Sequence, residues 1–290
     1  MFQNVLVGVD GEPNARDAIA LALRLTGSDG KLSLGYVRRG EAAKEREDAD
    51  KLLARERTLA DVKAELLSVV STSPGRGLHE QAEELGADLL VVGSCHHGAL
   101  GRAMLGDDTR AALNGASCAV AIASVGYAQH SRPIARVGVA YNTSPESEAA
   151  VAVARELAAR TGATVHALEV VPIPFHPFTG LISPVVGEGL DAILEEATAR
   201  MKALAGVDGQ AVYGLPGEEL AAFGEQMDIL VVGSRGYGPM RRLVAGTTSE
   251  FLERHARCSL LVLPRSAAAP TADPTASSGL QAETPAATAT

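Results

Sequence analysis

The arrangement in this chain best suited to chemistry is Gly233-Ser234-Arg235-Gly236, nine further residues, then Gly246-Thr247. The apolar run Ile229-Leu230-Val231-Val232 leads into it as a strand, and residues 247–253 read as the opening of a helix. A glycine-rich turn that empties into a helix N-terminus presents unpaired backbone N–H groups and the positive end of the helix dipole, which together bind phosphate. Glycine is needed because a Cβ would hold the backbone away from the ligand, and because some turn positions require φ > 0. Thr247, Thr248 and Ser249 add hydroxyl groups, while Arg235, Arg241 and Arg242 add positive charge. The plainer alternative is that the hydroxyl residues are helix N-caps and the arginines a solvated face.

A damaged copy of the same layout lies earlier. Leu89-Leu90-Val91-Val92-Gly93-Ser94 repeats the strand, and Gly93 and Gly106 keep the separation of Gly233 and Gly246. His96 replaces the second glycine, and Asp107-Asp108 stand where the hydroxyl residues should be. Carboxylates at a helix N-terminus favour the helix by about 0.3–1 kcal/mol each. Towards a triphosphate they repel, by about 4 kcal/mol for a like-charge pair near 4 Å at an effective dielectric of about 20. Only Arg102 is nearby to compensate. The first half therefore reads as the weaker site, unless Mg²⁺ bridges Asp107 to the phosphates.

Other constellations carry less. His96-His97 lack a third metal ligand. Gly236-Tyr237-Gly238 begins like a dinucleotide fingerprint but misses the third glycine, and no G-x4-G-K-[ST] occurs. Cys118 and Cys258 open apolar strands and read as small core hydrophobes, leaving Cys95 as the cysteine to test for reactivity. No Ser/His/Asp or paired-carboxylate constellation stands out, so no catalytic role is assigned to these residues.

The elements that must position these residues come as a tandem repeat. Val5-Leu6-Val7-Gly8-Val9-Asp10 is echoed by Val137-Gly138-Val139-Ala140-Tyr141-Asn142, each followed by a turn and an amphipathic helix. The stripe Ala18, Ala22, Leu25 returns as Ala150, Ala154, Leu157, and the strand 118–122 returns as 258–262. Each half alternates short apolar strands with helices, which predicts an α/β fold of two tandem doubly wound, parallel, five-stranded sheets, Rossmann-like in build. Ligands of such sheets sit beyond the carboxyl ends of the strands, where Asp10, Gly93, Asn142 and Gly233 fall. The domains expected are residues 1–124 and 134–265, joined by a short linker. Residues 266–290, rich in Ala, Pro, Thr and Ser, are expected to be a disordered tail. The Pro-rich stretch 172–184, an insertion in the second half, could cover its site as a lid.

The chain has 290 residues and a net charge of −9 with its Lys and Arg scattered, which argues against nucleic acid as a partner. No apolar run reaches the length of a membrane span, and the N-terminus reads as a first strand rather than a signal peptide. Three cysteines without a CxxC fit a reducing compartment, so a cytoplasmic location is expected.

A Val/Ile-rich strand followed by G-x2-G-x9-G-[S/T], with a first strand ending Val7-Gly8-Val9-Asp10-Gly11, resembles the universal stress protein family, in its tandem form common in actinobacteria. The resemblance covers about residues 1–265 and implies an ATP-binding regulator of stress or dormancy. It implies that Gly233, Arg235, Gly236, Gly246, Thr247 and Thr248 hold phosphates in the second half, with Asn142, Thr143 and Val170 near the nucleoside. In the first half it points to Asp10, Gly11, Val37, Gly93 and Gly106. It also implies pairing through the last strands, as a homodimer or as an internal pseudo-dimer. The chain departs from the family pattern at Asn142-Thr143, which stand in place of Asp-Gly. Asn keeps hydrogen-bonding capacity but brings no charge to a Mg²⁺ accompanying ATP. The competing readings are an interaction module that has lost nucleotide binding in both halves, and a slow ATPase. A nucleotidyl transferase is disfavoured because Gly11-Glu12-Pro13-Asn14 stand where its H-x-G-H would be.

Overall fold

Among the described residues, the apolar runs of the repeat form strands, and the amphipathic stretches between them form helices laid on the sheet. The computed structural model describes residues 1–94, 111–112, 114–130, 133–172, 186–234 and 246–264. Outside them lie Cys95, His96, His97, Arg102, Gly106, Asp107, Asp108, Arg235, Gly236, Arg241 and Arg242, together with nearly all of the Pro-rich stretch and the expected tail.

The first half runs β1 (Phe2–Gly8), α1 (Pro13–Leu25), β2 (Thr26–Arg38), α2 (Ala43–Leu59), β3 (Glu65–Val70), α3 (Pro74–Leu85), β4 (Leu89–Gly93) and β5 (Ala119–Ala123). The second runs β6 (Arg136–Tyr141), α4 (Pro145–Thr161), β7 (Thr164–Pro172), α5 (Val186–Ala203), β8 (Asp208–Gly214), α6 (Pro216–Gly224), β9 (Ile229–Gly233), α7 (Thr247–His255) and β10 (Ser259–Leu263).

Within each half all pairings are parallel, and the strand order places β1 between β2 and β4, and β6 between β7 and β9. The two expected five-stranded sheets do not stay separate. Their last strands pair antiparallel, with Leu261 opposite Ala121, so that one ten-stranded sheet runs β3-β2-β1-β4-β5-β10-β9-β6-β7-β8. The chain therefore supplies its own last-strand partner, as the family resemblance implied for a tandem protein.

Continuous apolar strands demand cover on both faces, and both receive it. On one face α1, α2, α4 and α5 close a core that includes Val5, Val137 and Val231; on the other, α3, α6 and α7 close one that includes Leu90, Ile122 and Leu230. The two equivalent stripes are fully buried: Ala18, Ala22, Leu25, Ala150, Ala154 and Leu157 all show 0% exposure. The join between the halves is also held by Asp17 of α1, whose carboxylate accepts hydrogen bonds from the Gly126 and Ala128 amides of the linker, each at 2.8 Å. Arg160 of α4 donates to the carbonyls of Arg24 and Thr26 at the end of α1.

Cys118 and Cys258 sit just before β5 and β10 in the second core. Burial pushes their thiols up to about 11 and about 12, which makes them unreactive hydrophobes, as expected of them. No helix among the described residues is long and apolar enough to cross a membrane.

Candidate nucleotide site

Two clefts open where the strand order reverses, one at the carboxyl ends of β1, β2 and β4, the other at those of β6, β7 and β9. A doubly wound sheet leaves such a crevice because its helices diverge to opposite faces there. The second cleft has a volume of about 390 Å³ and the first about 250 Å³.

In the second cleft, Asn142, Val170, Gly233, Gly246 and Thr248 all line the wall, so sequence positions a hundred residues apart are brought together. Thr143 and Thr247, also expected there, do not line it. In the first, Asp10, Val37 and Gly93 line the wall, and Gly11 does not. Arg235, Gly236 and Gly106 lie outside the described residues.

The turn after the first strand is built identically in both halves. Asp10 accepts from the Glu12 amide at 3.0 Å. Asn142 accepts from the Ser144 amide at 3.3 Å and from the Ser144 hydroxyl at 2.6 Å. Gly11 has φ +87° and Thr143 has φ +62°. The left-handed backbone has thus been kept where the glycine has not, and a β-branched residue at such a φ is strained.

Gly93 and Gly233 have a packing duty independent of any ligand. A Cβ on Gly233 would come within 2.6 Å of Glu146 Cβ and 2.9 Å of its backbone carbon, and one on Gly93 would meet the backbone of Asn14. The missing side chain lets the first turn of α4, or α1, sit against the strand end.

The N-terminus of α7 faces the second cleft through Gly246, Thr248 and Ser249. Its N-cap is Gly246, and among the described residues no side chain caps it. The first helical bond runs from the Glu250 amide to the Gly246 carbonyl at 2.9 Å, so the amides of Thr247, Thr248 and Ser249 precede the helical ladder. The contrast with α4 is direct, because Ser144 there accepts from the Ser147 amide at 3.2 Å. The plainer alternative, that Thr and Ser serve as caps, thus fails at α7, where the cap position is glycine.

Several lining residues escaped the reading of motifs. Glu169 of β7 is 7% exposed, and Arg200 of α5 donates to its Oε1 at 2.8 Å and to Glu196 at 2.7 Å. Hydrogen bonding to Glu169 raises the affinity of the Arg200 guanidinium for its proton. Among the described residues, Glu169 Oε2 is buried without a hydrogen-bond partner. Next to it in the sheet, Tyr141 donates its hydroxyl to Glu148, and burial together with that carboxylate pushes the phenol up to about 12. The available signal was the single acid in the run Ala167-Leu168-Glu169-Val170-Val171. In the register of the first half the Glu169 position is Tyr36 and the Pro172 position is Arg39, and both line the first cleft.

The Universal stress protein family model matches residues 1–124 and 133–264. The chain is 31% identical over 229 residues to a universal stress protein of Mycobacterium tuberculosis, covering 74% of each chain. It is 35% identical over 136 residues to one of Thermus aquaticus, which spans 43% of this chain and 95% of that one. The crystal structure of a putative universal stress protein from Pseudomonas aeruginosa shares the fold at a TM-score of 0.67 and 19% identity, covering 91% of this chain and 94% of that one. By its sequence through both halves and by its fold, the chain belongs to the universal stress protein family.

Proposed function

We propose that this protein is a stress-response regulator that binds ATP in the second cleft and acts through nucleotide-dependent conformation or partner binding. The observation that carries this reading is the uncapped N-terminus of α7 opening on that cleft. Backbone amides and a helix dipole directed at a concave site are the general device for holding phosphate. A volume of about 390 Å³ suits a small organic ligand. Gly246 and Thr248 would hold the phosphates, and Asn142 and Val170 would lie beside the nucleoside. Mg²⁺, where present, would arrive with the phosphates, since Asn142 brings it no charge. A cytoplasmic location and a role without efficient catalysis belong to the same proposal. The internal β5–β10 pairing supports a pseudo-dimer within one chain.

The test is a calorimetric titration of Mg·ATP into the wild type and into Gly246→Val. Gly246 has φ −78° and ψ 168°, a conformation open to any residue, so the fold is expected to survive. Saturable binding in the wild type and its loss in the variant are expected. Unchanged affinity in the variant would remove the site assignment, and no binding in the wild type would favour an interaction module without nucleotide.

A further inference from the structure

Resting on the reading of the second cleft as a nucleotide site, we propose that Glu169 selects the base, accepting a hydrogen bond from the exocyclic amine of a 6-aminopurine. Glu169 lines the cleft, is 7% exposed, and has one oxygen held by Arg200, while Oε2 has no partner among the described residues. A buried carboxylate oxygen left unpaired costs stability, and a donor from a ligand would recover it.

The position in the sheet matches this role. The α7 N-terminus follows β9, and Glu169 belongs to β7, with β6 alone between those strands. Two strand spacings are about 9–10 Å. That span takes a nucleotide with its phosphates over β9, its ribose over β6 beside Asn142, and its base over β7. The number of acceptors points to the base. Arg200 engages Oε1, which leaves Oε2 as the oxygen without a partner among the described residues, and the adenine amine offers one donor to it. A guanine edge presents two adjacent donors and calls for both carboxylate oxygens. Carboxylates read exocyclic amines of bases in the same way in nucleic-acid recognition. The first cleft has Tyr36 at this register, a hydroxyl where the second cleft has a carboxylate.

Arg200 makes the test sharp. In Glu169→Gln the guanidinium still needs an oxygen, so it fixes the amide with its oxygen on Arg200 and its NH2 where Oε2 stood. An acceptor becomes a donor with almost no change of shape. Calorimetry with ATP, inosine triphosphate and 2′-deoxy-ATP, on the full chain, is the experiment. The wild type is expected to prefer ATP over inosine triphosphate by about tenfold or more, and Glu169→Gln to lose or invert that preference. Wild-type affinities for the two within about twofold, or a preference that survives in a folded Glu169→Gln, would overturn the proposal. Discrimination against 2′-deoxy-ATP alone would place Glu169 at the sugar and overturn it too. These failures leave ATP binding intact, whereas absence of all nucleotide binding removes both this proposal and the reading beneath it.

Discussion

The first cleft and the second occupy equivalent ends of one sheet, yet their walls carry different chemistry. The first keeps Asp10-Gly11 and presents Tyr36 and Arg39; the second has Asn142-Thr143 and encloses the Glu169–Arg200 pair. What they share is what the backbone requires: the Asx turn after the first strand, a left-handed residue beside it, and a glycine where a helix start meets the strand end. What differs is what a ligand would touch. Repeats that diverge while holding their backbone separate the demands of folding from those of binding.

The largest test of this separation is Thr248→Asp, which gives the cleft-lining start of α7 the residue type that the first half carries at Asp108. A carboxylate near an incoming phosphate costs about 4 kcal/mol at an effective dielectric of about 20, so ATP affinity should fall by up to about a thousandfold. Thermal unfolding should hardly change, because an acid in the first turn suits the helix dipole. An affinity within about tenfold of wild type would show that the two halves do not differ through this charge.

Next come the shared glycines. Gly93→Ala and Gly233→Ala should each destabilise by about 3 kcal/mol in urea unfolding, since each Cβ meets the backbone of the facing helix start. If Gly233→Ala weakened nucleotide binding with no loss of stability, its duty would be to the ligand instead.

A third test uses pH. The thiols of Cys118 and Cys258 and the phenols of Tyr127 and Tyr141 are all pushed up by burial. Groups held protonated by the fold contribute stability that is complete below their unfolded values and is lost as pH rises through the folded ones. For the thiols that window runs from 9.0 to about 11 and about 12. Above pH 9 the unfolding free energy should therefore fall, by about 1.4 kcal/mol per pH unit for each group still protonated only in the fold. Cys118→Ala with Cys258→Ala should flatten that slope, and an unchanged slope would exclude the thiols as its source.

The smallest effect is expected at the left-handed turn. Thr143→Gly relieves a strained φ and should stabilise by about 1 kcal/mol after the added freedom of the unfolded chain is counted. The reciprocal Gly11→Thr should destabilise, as its Cβ would also approach Leu52 Cδ1 to 2.8 Å. A loss of stability in Thr143→Gly would mean that Thr143 contributes contacts that outweigh its strain.

Much of the fold was legible because the repeat states it twice. Two copies of Val5–Asp10 and Leu89–Ser94 give the strands, the Ala/Leu stripes give the helices, and strand ends place Asp10, Asn142, Gly93 and Gly233 at the clefts. Fusion into one sheet was not in the motifs, because an antiparallel pairing of β5 with β10 depends on how two edges meet in space. The Glu169–Arg200 pair was hidden for a related reason. Its members are 31 residues apart on a strand and a helix, and neither belongs to the glycine pattern. Thr143, expected near the nucleoside, carries the left-handed φ of the turn and does not line the cleft, because spacing reports backbone conformation before it reports side-chain direction.

The most direct test of the central claim is the number of adenine nucleotides bound per chain, measured by denaturing the purified, ATP-saturated protein and chromatographing what it releases. The account predicts close to one nucleotide per chain from the wild type and almost none from Thr248→Asp. Two per chain, none, or one that persists in Thr248→Asp would contradict it.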